Sequence, residues 1–303
     1  CDDLVTLWAA VQRSGGIDGN PPKEIHPPAE VRTALVTTLS IEQGWLRRID
    51  VRQDDVRQDD DSRLRPVPNA IIEWLRADPW PQWSALARAW MESRLWNDVA
   101  YVSALAPDPV HDWPNAPPAA RQALLEMLKN CERGTWCDIG AFRDYMKAHA
   151  TDYLRPDGNY HTWAPRDART DKPLRGFEAW DAVEGALVAF IITGPLTWLG
   201  MVDLGLEAEA GPPTKFRLSD AGAALLGTAS PPSLPTPGPV ELDRNGTLTV
   251  PPHRRYERFQ LNRIAVSVGE PGSFRYRLTP DALRLDQRQR ISLDRILAFL
   301  EKA

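Results

Sequence analysis

The sequence predicts a mainly α-helical protein with small β hairpins, an α+β fold arranged as two similar domains followed by a smaller third. Three observations carry this expectation. The stretch from Ile192 to Leu226 reads as helix, hairpin and helix. A similar order of residues occurs earlier, between Gly44 and Leu75. The chain also has 303 residues, 43% hydrophobic and 25% charged, enough to bury a separate core in each of two or three domains.

In the first of these stretches, Thr193 and Pro195 open a short helix. Proline at the first helical position loses nothing, because its N–H would have no partner there. Met201 to Leu204 and Lys215 to Leu218 are hairpin arms, joined by a Gly/Pro-containing loop, Gly205 to Thr214, too long for a tight turn. Ser219 caps a helix from Asp220 to Leu226, with an acidic residue in its first turn where the helix dipole favours it. Helices followed by a hairpin and a closing helix describe a winged helix, a fold used to read nucleic acid and to bind protein.

Residues 4–13 place Leu4, Trp8 and Val11 at helical spacing, and Gly15-Gly16 ends the run. After a proline-rich connection, Asn20 to Pro28, a helix from about Ala29 buries Val31, Leu35, Val36 and Leu39. Gly44-Trp45-Leu46 with Ile49 and Val51 then resembles Trp198-Leu199-Gly200 with Val202 and Leu204. Arg63-Leu64-Arg65-Pro66 before the helix Asn69 to Leu75 likewise matches Phe216-Arg217-Leu218-Ser219. This weak repeat points to two copies of one fold, against the alternative of two unrelated hairpins. The loop of the first copy holds VRQDD twice in tandem and then Asp61, and its aspartates argue against that wing as a DNA reader.

Residues 79–105 read as helical, with Trp83, Leu86, Ala87, Trp90 and Met91 on one face. Prolines between Ala106 and Pro118 mark a boundary. Helices follow at Ala119–Lys129, burying Leu124, Leu125 and Leu128, and at Asp138–Ala148, burying Ile139, Phe142 and Met146. The polar run 150–176 reads as an inserted loop. A third helix, Phe177 to Ile192, buries Trp180, Val183, Leu187, Phe190 and Ile191 and carries Glu178, Asp181 and Glu184 in its first turns. Helix acidity of this kind makes a poor groove reader, because phosphate contact needs Lys or Arg.

After a proline-rich linker, Thr228 to Pro239, the chain reads as a hairpin turning at Asn245-Gly246, a helix Tyr256 to Val268, a strand FRYRLTP, a helix opened by Pro280-Asp281, and a last helix capped by Ser292. The predicted domains are thus 1–105, 117–227 with its insertion at 150–176, and 240–303.

Charge is divided unevenly along the chain. Residues 244–303 hold 12 Lys/Arg against 6 Asp/Glu, a net of +6, which leaves −11 for residues 1–243 in a total of −5. Any phosphate contact is therefore expected in the C-terminal fifth. Arg254, Arg255 and Arg258 cluster at a helix start, and Arg275 and Arg277 share one face of a strand, since strand side chains alternate. With Arg244, these are the candidate phosphate-contacting residues.

Two longer patterns resemble a known family. GTLTVPP, FRYRLTPDALR and ISLDRILAFLE resemble the small helicase-associated domain of the N-terminal regions of XPB-type DNA helicases and of bacterial proteins built around it. WDAVEG, GPLTWLGMVDLG and FRLSDAGAALL resemble the winged-helix region preceding that domain in the bacterial proteins. Together they cover roughly residues 117–303. The resemblance implies association with DNA repair or transcription, with DNA and a helicase or other protein as partners.

The sequence offers little else in the way of chemistry. It contains no GxxxxGK[ST] phosphate loop, no GxSxG elbow and no HExxH, and its five histidines are scattered. Cys131 and Cys137, with His149, lack the paired spacing of a zinc site. No catalytic residue, cofactor or metal is expected. Three cysteines argue for a reducing cytoplasm rather than a disulfide framework. No apolar run reaches the roughly eighteen residues of a membrane span, and the N-terminus does not resemble a signal peptide. The expected function is a non-enzymatic DNA-binding module using its basic C-terminal domain. The alternative is a protein-interaction scaffold using its acidic winged-helix domains.

Overall fold

The computed structural model describes residues 2–14, 17–18, 29–50, 62–206, 211–233, 236–268, 273–279 and 293–303. Helices and small antiparallel sheets are mixed throughout, as an α+β chain requires. The chain forms two compact units, Cys1–Gln82 with Leu234–Ala303, and Trp83–Ser233. This division differs from the predicted series of three domains. The residues 83–105 and the proline-containing run belong to the second unit, and the C-terminal segment shares the first unit with the N-terminal helices.

In the first unit, α1 (Asp2–Ser14) buries Leu4, Trp8 and Val11 at the predicted helical spacing. Strand β1 (Ile17–Asp18) follows, then α2 (Ala29–Glu42), which buries Leu35, Val36 and Leu39. Strands β2 (Leu46–Asp50) and β3 (Ser62–Pro66) pair antiparallel, and β1 adds to the free side of β3. Helix α3 (Pro68–Arg76) starts on Pro68, where a missing N–H costs nothing. Trp8, Trp45 and Trp74 meet beneath the hairpin, with ring centroids 5.3 to 5.7 Å apart in edge-on and tilted pairs. The indole N–H of Trp8 donates to Ser40 Oγ and that of Trp74 to the Gln82 carbonyl, so neither is buried unsatisfied.

The division between units falls within α4 (Pro79–Glu92), which buries Leu86, Ala87 and Trp90 in the second unit. A 3-10 turn at Asp98–Tyr101 places the Asp98 carboxylate among the indole N–H groups of Trp90 and Trp96 and the Arg121 guanidinium, at 3.1, 2.7 and 2.6 Å. Arg121 lies on α5 (Pro117–Leu128) and also donates to the carbonyls of Trp90, Ser93 and Trp96. Strand β4 (Leu105–Ala106) ends this stretch. The prolines expected to mark a boundary sit in a folded loop, because β4 pairs with β6 (Arg166–Asp167) and the Asp108 carboxylate accepts from the backbone of Val110, His111 and Ala164.

Strand β5 (Cys137–Asp138) leads into α6 (Ile139–His149), capped by the Asp138 side chain accepting from Ala141 N–H. Residues 150–176 are packed rather than a loose insertion. Tyr153, Leu154, Tyr160, Trp163 and Ala164 are buried, and Arg155 donates to Glu184 at 2.7 Å while lying 4.1 Å from the Trp163 ring. Scattered aromatics among polar residues concealed this from the sequence pattern. Helix α7 (Trp180–Ile191) then continues through a π-helical turn, Ile192–Leu196, that contains Pro195. The predicted fresh helix start at Thr193 is therefore absent. Thr193 and Thr197 hydroxyls donate to the carbonyls of Ala189 and Ile192 in the widened turn. Among the described residues Phe177–Leu196 is the one stretch long and apolar enough to suit a membrane span, and most of it is packed inside the protein. Strands β7 (Val202–Gly205) and β8 (Lys215–Leu218) form the second hairpin, with β5 on the far side of β8. Helix α8 (Asp220–Leu225) is capped by Ser219, as predicted.

The two hairpins repeat one backbone pattern. Gly44 and Gly200 both adopt a φ of 71° at the end of the preceding helix. Trp45 N–H donates to Ser40 and Val67 N–H to Trp45, while Met201 N–H donates to Leu196 and Ser219 N–H to Met201. In the third strands, Ile17 faces Leu64 and Cys137 faces Phe216. The repeat thus aligns Gly44 with Gly200, three positions away from the match suggested by the Trp-Leu pairs.

The remainder of the first unit is β9 (Glu241–Leu242), β10 (Thr247–Thr249), α9 (Arg255–Ile264), β11 (Val266–Ser267), β12 (Arg275–Arg277) and α10 (Leu293–Leu300). The sheet order is β11-β12-β10-β9. Helix α9 stops short of the predicted Val268, because Val266–Ser267 pair with β12 instead. Leu248, Val250, Leu261, Ile264 and Tyr276 form the core here, with Phe274, Phe299 and Leu300 against it. Helix α1 packs on α9. The aspartate-rich loop, the helix expected from Asp281 and the Ser292 cap lie outside the described residues.

Candidate nucleic-acid interface

The six arginines singled out by sequence divide into two groups. Arg244, Arg275 and Arg277 are exposed. The turn carrying Arg244 is built by Asp243, whose carboxylate accepts from the backbone of Asn245 and Thr247, and by Gly246 at a φ of 75°. Position matters more for Arg275 and Arg277. They flank Tyr276, which is buried against Leu248, so the alternation of β12 turns both arginines to the outer face. Arg277 lies opposite Thr247 and Arg275 opposite Thr249 on β10. The N–H groups of Thr247 and Asn245 hold the Asp243 carboxyl below the usual carboxylate range, and the nearby charges of Arg275 and Arg277 add to this.

The second group is engaged internally. Arg258 is almost fully buried, donates to the Asp2 carboxylate and to the Pro252 carbonyl, and lies 3.4 Å from the Phe274 ring centroid. Arg255 is buried and donates to Gln82 Oε1 at 2.6 Å, while Gln82 itself donates to the carbonyls of Leu75 and Ala77. Arg254 donates to the Gly238 carbonyl and to Glu257. These three side chains hold α9 to Asp2 on α1, to Gln82 at the start of α4 and to the incoming chain at Gly238. Helical spacing could not reveal the roles of Arg255 and Arg258, since Gln82 and Asp2 lie more than 170 residues earlier in the sequence.

The carboxyl of Asp2 shows the strength of this arrangement. Desolvation opposes its ionisation, yet the Arg258 charge and hydrogen bond outweigh that and hold its pKa below the ordinary value. Loss of exposure and the Arg255 charge push His253 down, favouring the neutral imidazole at pH 7.

Two other regions gather polar and thiol side chains. In the second unit, Asp108, His111, His161, Trp163, Arg166 and Arg175 line a cleft of about 310 Å³. Asp108 spends its carboxylate on three backbone N–H groups and His111, and Arg166 is bonded to Asp171. Burial, with Cys137 beside it, pushes the Cys131 thiol up to about 12, which makes it a poor nucleophile. Among the described residues no three His, Cys, Asp or Glu side chains gather as metal ligands.

No protein-family model matches this chain, and no curated protein matches it significantly in sequence.

Proposed function

We propose that this chain is a non-enzymatic module that binds nucleic acid through phosphate contacts on the outer face of the β9–β12 sheet. The observation that carries the reading is the Arg275-Tyr276-Arg277 alternation, which anchors the strand by its tyrosine and leaves both arginines exposed on the outer face, Arg277 also donating to Thr247 Oγ1 at 3.4 Å. Arg244, in the adjoining turn, extends the same basic surface. Guanidinium groups suit this task because they stay charged and fork onto phosphate oxygens. A place in DNA repair or transcription rests on the family resemblance of residues 117–303, as does the winged-helix reading of the two hairpin modules.

The scaffold alternative receives less support. Its acidic helix face is reduced, because Glu184 is buried against Arg155 and Asp181 is bridged by Lys147 at 2.8 Å.

Duplex DNA binding measured against salt tests the proposal. Each phosphate contact contributes about 0.9 to the slope of log affinity against log salt. Replacing Arg244, Arg275 and Arg277 together by Ala should lower that slope by roughly 3. An unchanged slope in the folded triple variant excludes this surface.

A further inference from the structure

The β2–β3 hairpin of the first unit opposes two like charges. Arg47 on β2 and Arg65 on β3 are direct cross-strand partners, and both are exposed. Facing residues in an antiparallel pair have Cβ atoms roughly 5 Å apart, and like charges at that spacing destabilise the sheet. Among the described residues no carboxylate bonds to either arginine. Arg63 and Ile49 are the next facing pair on the same side, while Leu46, one position before Arg47, turns into the core.

The second hairpin supplies an internal control. With Gly44 aligned to Gly200 and Val67 to Ser219, Arg47 corresponds to Asp203 and Arg65 to Arg217. Asp203 and Arg217 are cross-strand partners too, joined at 2.9 Å, and Arg217 also lies over the Trp136 ring. One backbone pattern therefore carries an ion pair in one unit and, in the other, two facing cations with no carboxylate bonded to them among the described residues. The facing like charges cost the hairpin a little stability and leave both guanidinium groups exposed to a partner.

We infer that the solvent face of the β2–β3 hairpin, through Arg47 and Arg65, is a second phosphate-contacting surface for the nucleic-acid backbone. It rests on the ligand class of the proposed function and adds a surface that the sequence reading had set aside on account of the neighbouring aspartates. Two adjacent guanidinium groups on one strand pair match the repeated charge of a phosphodiester chain better than an isolated anion.

The test is a salt titration of duplex DNA binding by the full chain and three variants. Arg47→Asp reproduces the neutral pair of the second hairpin, so it should fold at least as well as the parent and lower the salt slope by about 2. Arg47→Lys should retain the slope, and Arg217→Ala should leave it unchanged. A folded Arg47→Asp protein with the parent slope overturns the inference while leaving the β9–β12 reading intact. Loss of the slope in Arg47→Asp but not in the Arg244/Arg275/Arg277 variant upholds the inference and removes the earlier reading. Absence of binding at low salt removes both. Equal response to anionic lipid vesicles would show that the surface takes any polyanion and overturn the commitment to nucleic acid. If only Asn replacement of Asp54, Asp55, Asp59, Asp60 and Asp61 changes affinity, by raising it, the arginines serve the chain's own acidic segment and the inference fails.

Discussion

The two units use arginine in opposite ways. In the second, Arg121 and Arg155 are enclosed and bonded to Asp98 and Glu184, and Arg217 is matched across its hairpin by Asp203. In the first, Arg258 is bonded inward to Asp2, but Arg47, Arg65, Arg275 and Arg277 face solvent. A buried ion pair contributes mainly by specifying an arrangement, since desolvation offsets much of its attraction. An exposed cation contributes little to folding and stays available to a partner. The contrast teaches that arginine content says little about binding until each side chain's partner is known.

The strongest way to break the comparison is to cut an enclosed pair. Arg121→Met should destabilise the second unit by about 3–5 kcal/mol, because Asp98 would remain buried without its counter-charge. Thermal unfolding would show this as a large drop in Tm with no change in DNA affinity per folded molecule. A shift below about 1 kcal/mol would mean that Asp98 finds other satisfaction.

Arg258→Met should have a smaller effect, about 2–3 kcal/mol, the range for hydrogen bonds between charged groups. The same contact sets a pH dependence. The Asp2 pKa is lowered in the folded chain, so its contribution is present above the unfolded value of about 3.9 and lost as pH falls through the lower folded value. Urea unfolding of the parent between pH 5 and pH 2 should therefore show an acid loss that is reduced in Arg258→Met. Equal acid sensitivity in both proteins would assign the loss to other carboxylates, among them Asp108, Asp167 and Asp243.

The smallest effects sharpen the hairpin contrast. Asp203→Ala should cost roughly 0.2–1 kcal/mol, and Arg47→Asp should gain a similar amount, since cross-strand charge pairs are of that size. Denaturant midpoints of the two variants should thus move in opposite directions.

Much of the local structure was legible in the sequence. The buried stripe of α1, the Asn245-Gly246 turn, the Ser219 cap and the alternation of β12 all follow from spacing and residue type, which are properties of neighbouring residues. The parts that could not be read depend on distant partners. Arg255 and Arg258 sit at a helix start in a basic segment, and nothing local signals Gln82 or Asp2 as their partners. Arg47 and Arg65 stand far apart in sequence with an aspartate run between them, so only strand register shows them to be neighbours. The proline run after Ala106 resembles a linker because the bonds that fold it, from Asp108 to Ala164 and from β4 to β6, span more than fifty residues.

The first unit is discontinuous, with residues from both ends of the chain and the second unit between them. During synthesis the second unit is complete once Ser233 has emerged, whereas α1 must wait for α9 to be made before its buried face is covered. Contacts of such long separation close slowly. A newborn chain therefore carries Leu4 and Trp8 without their final cover until α9 has emerged, and any truncation before Arg255 would leave that half permanently unfinished.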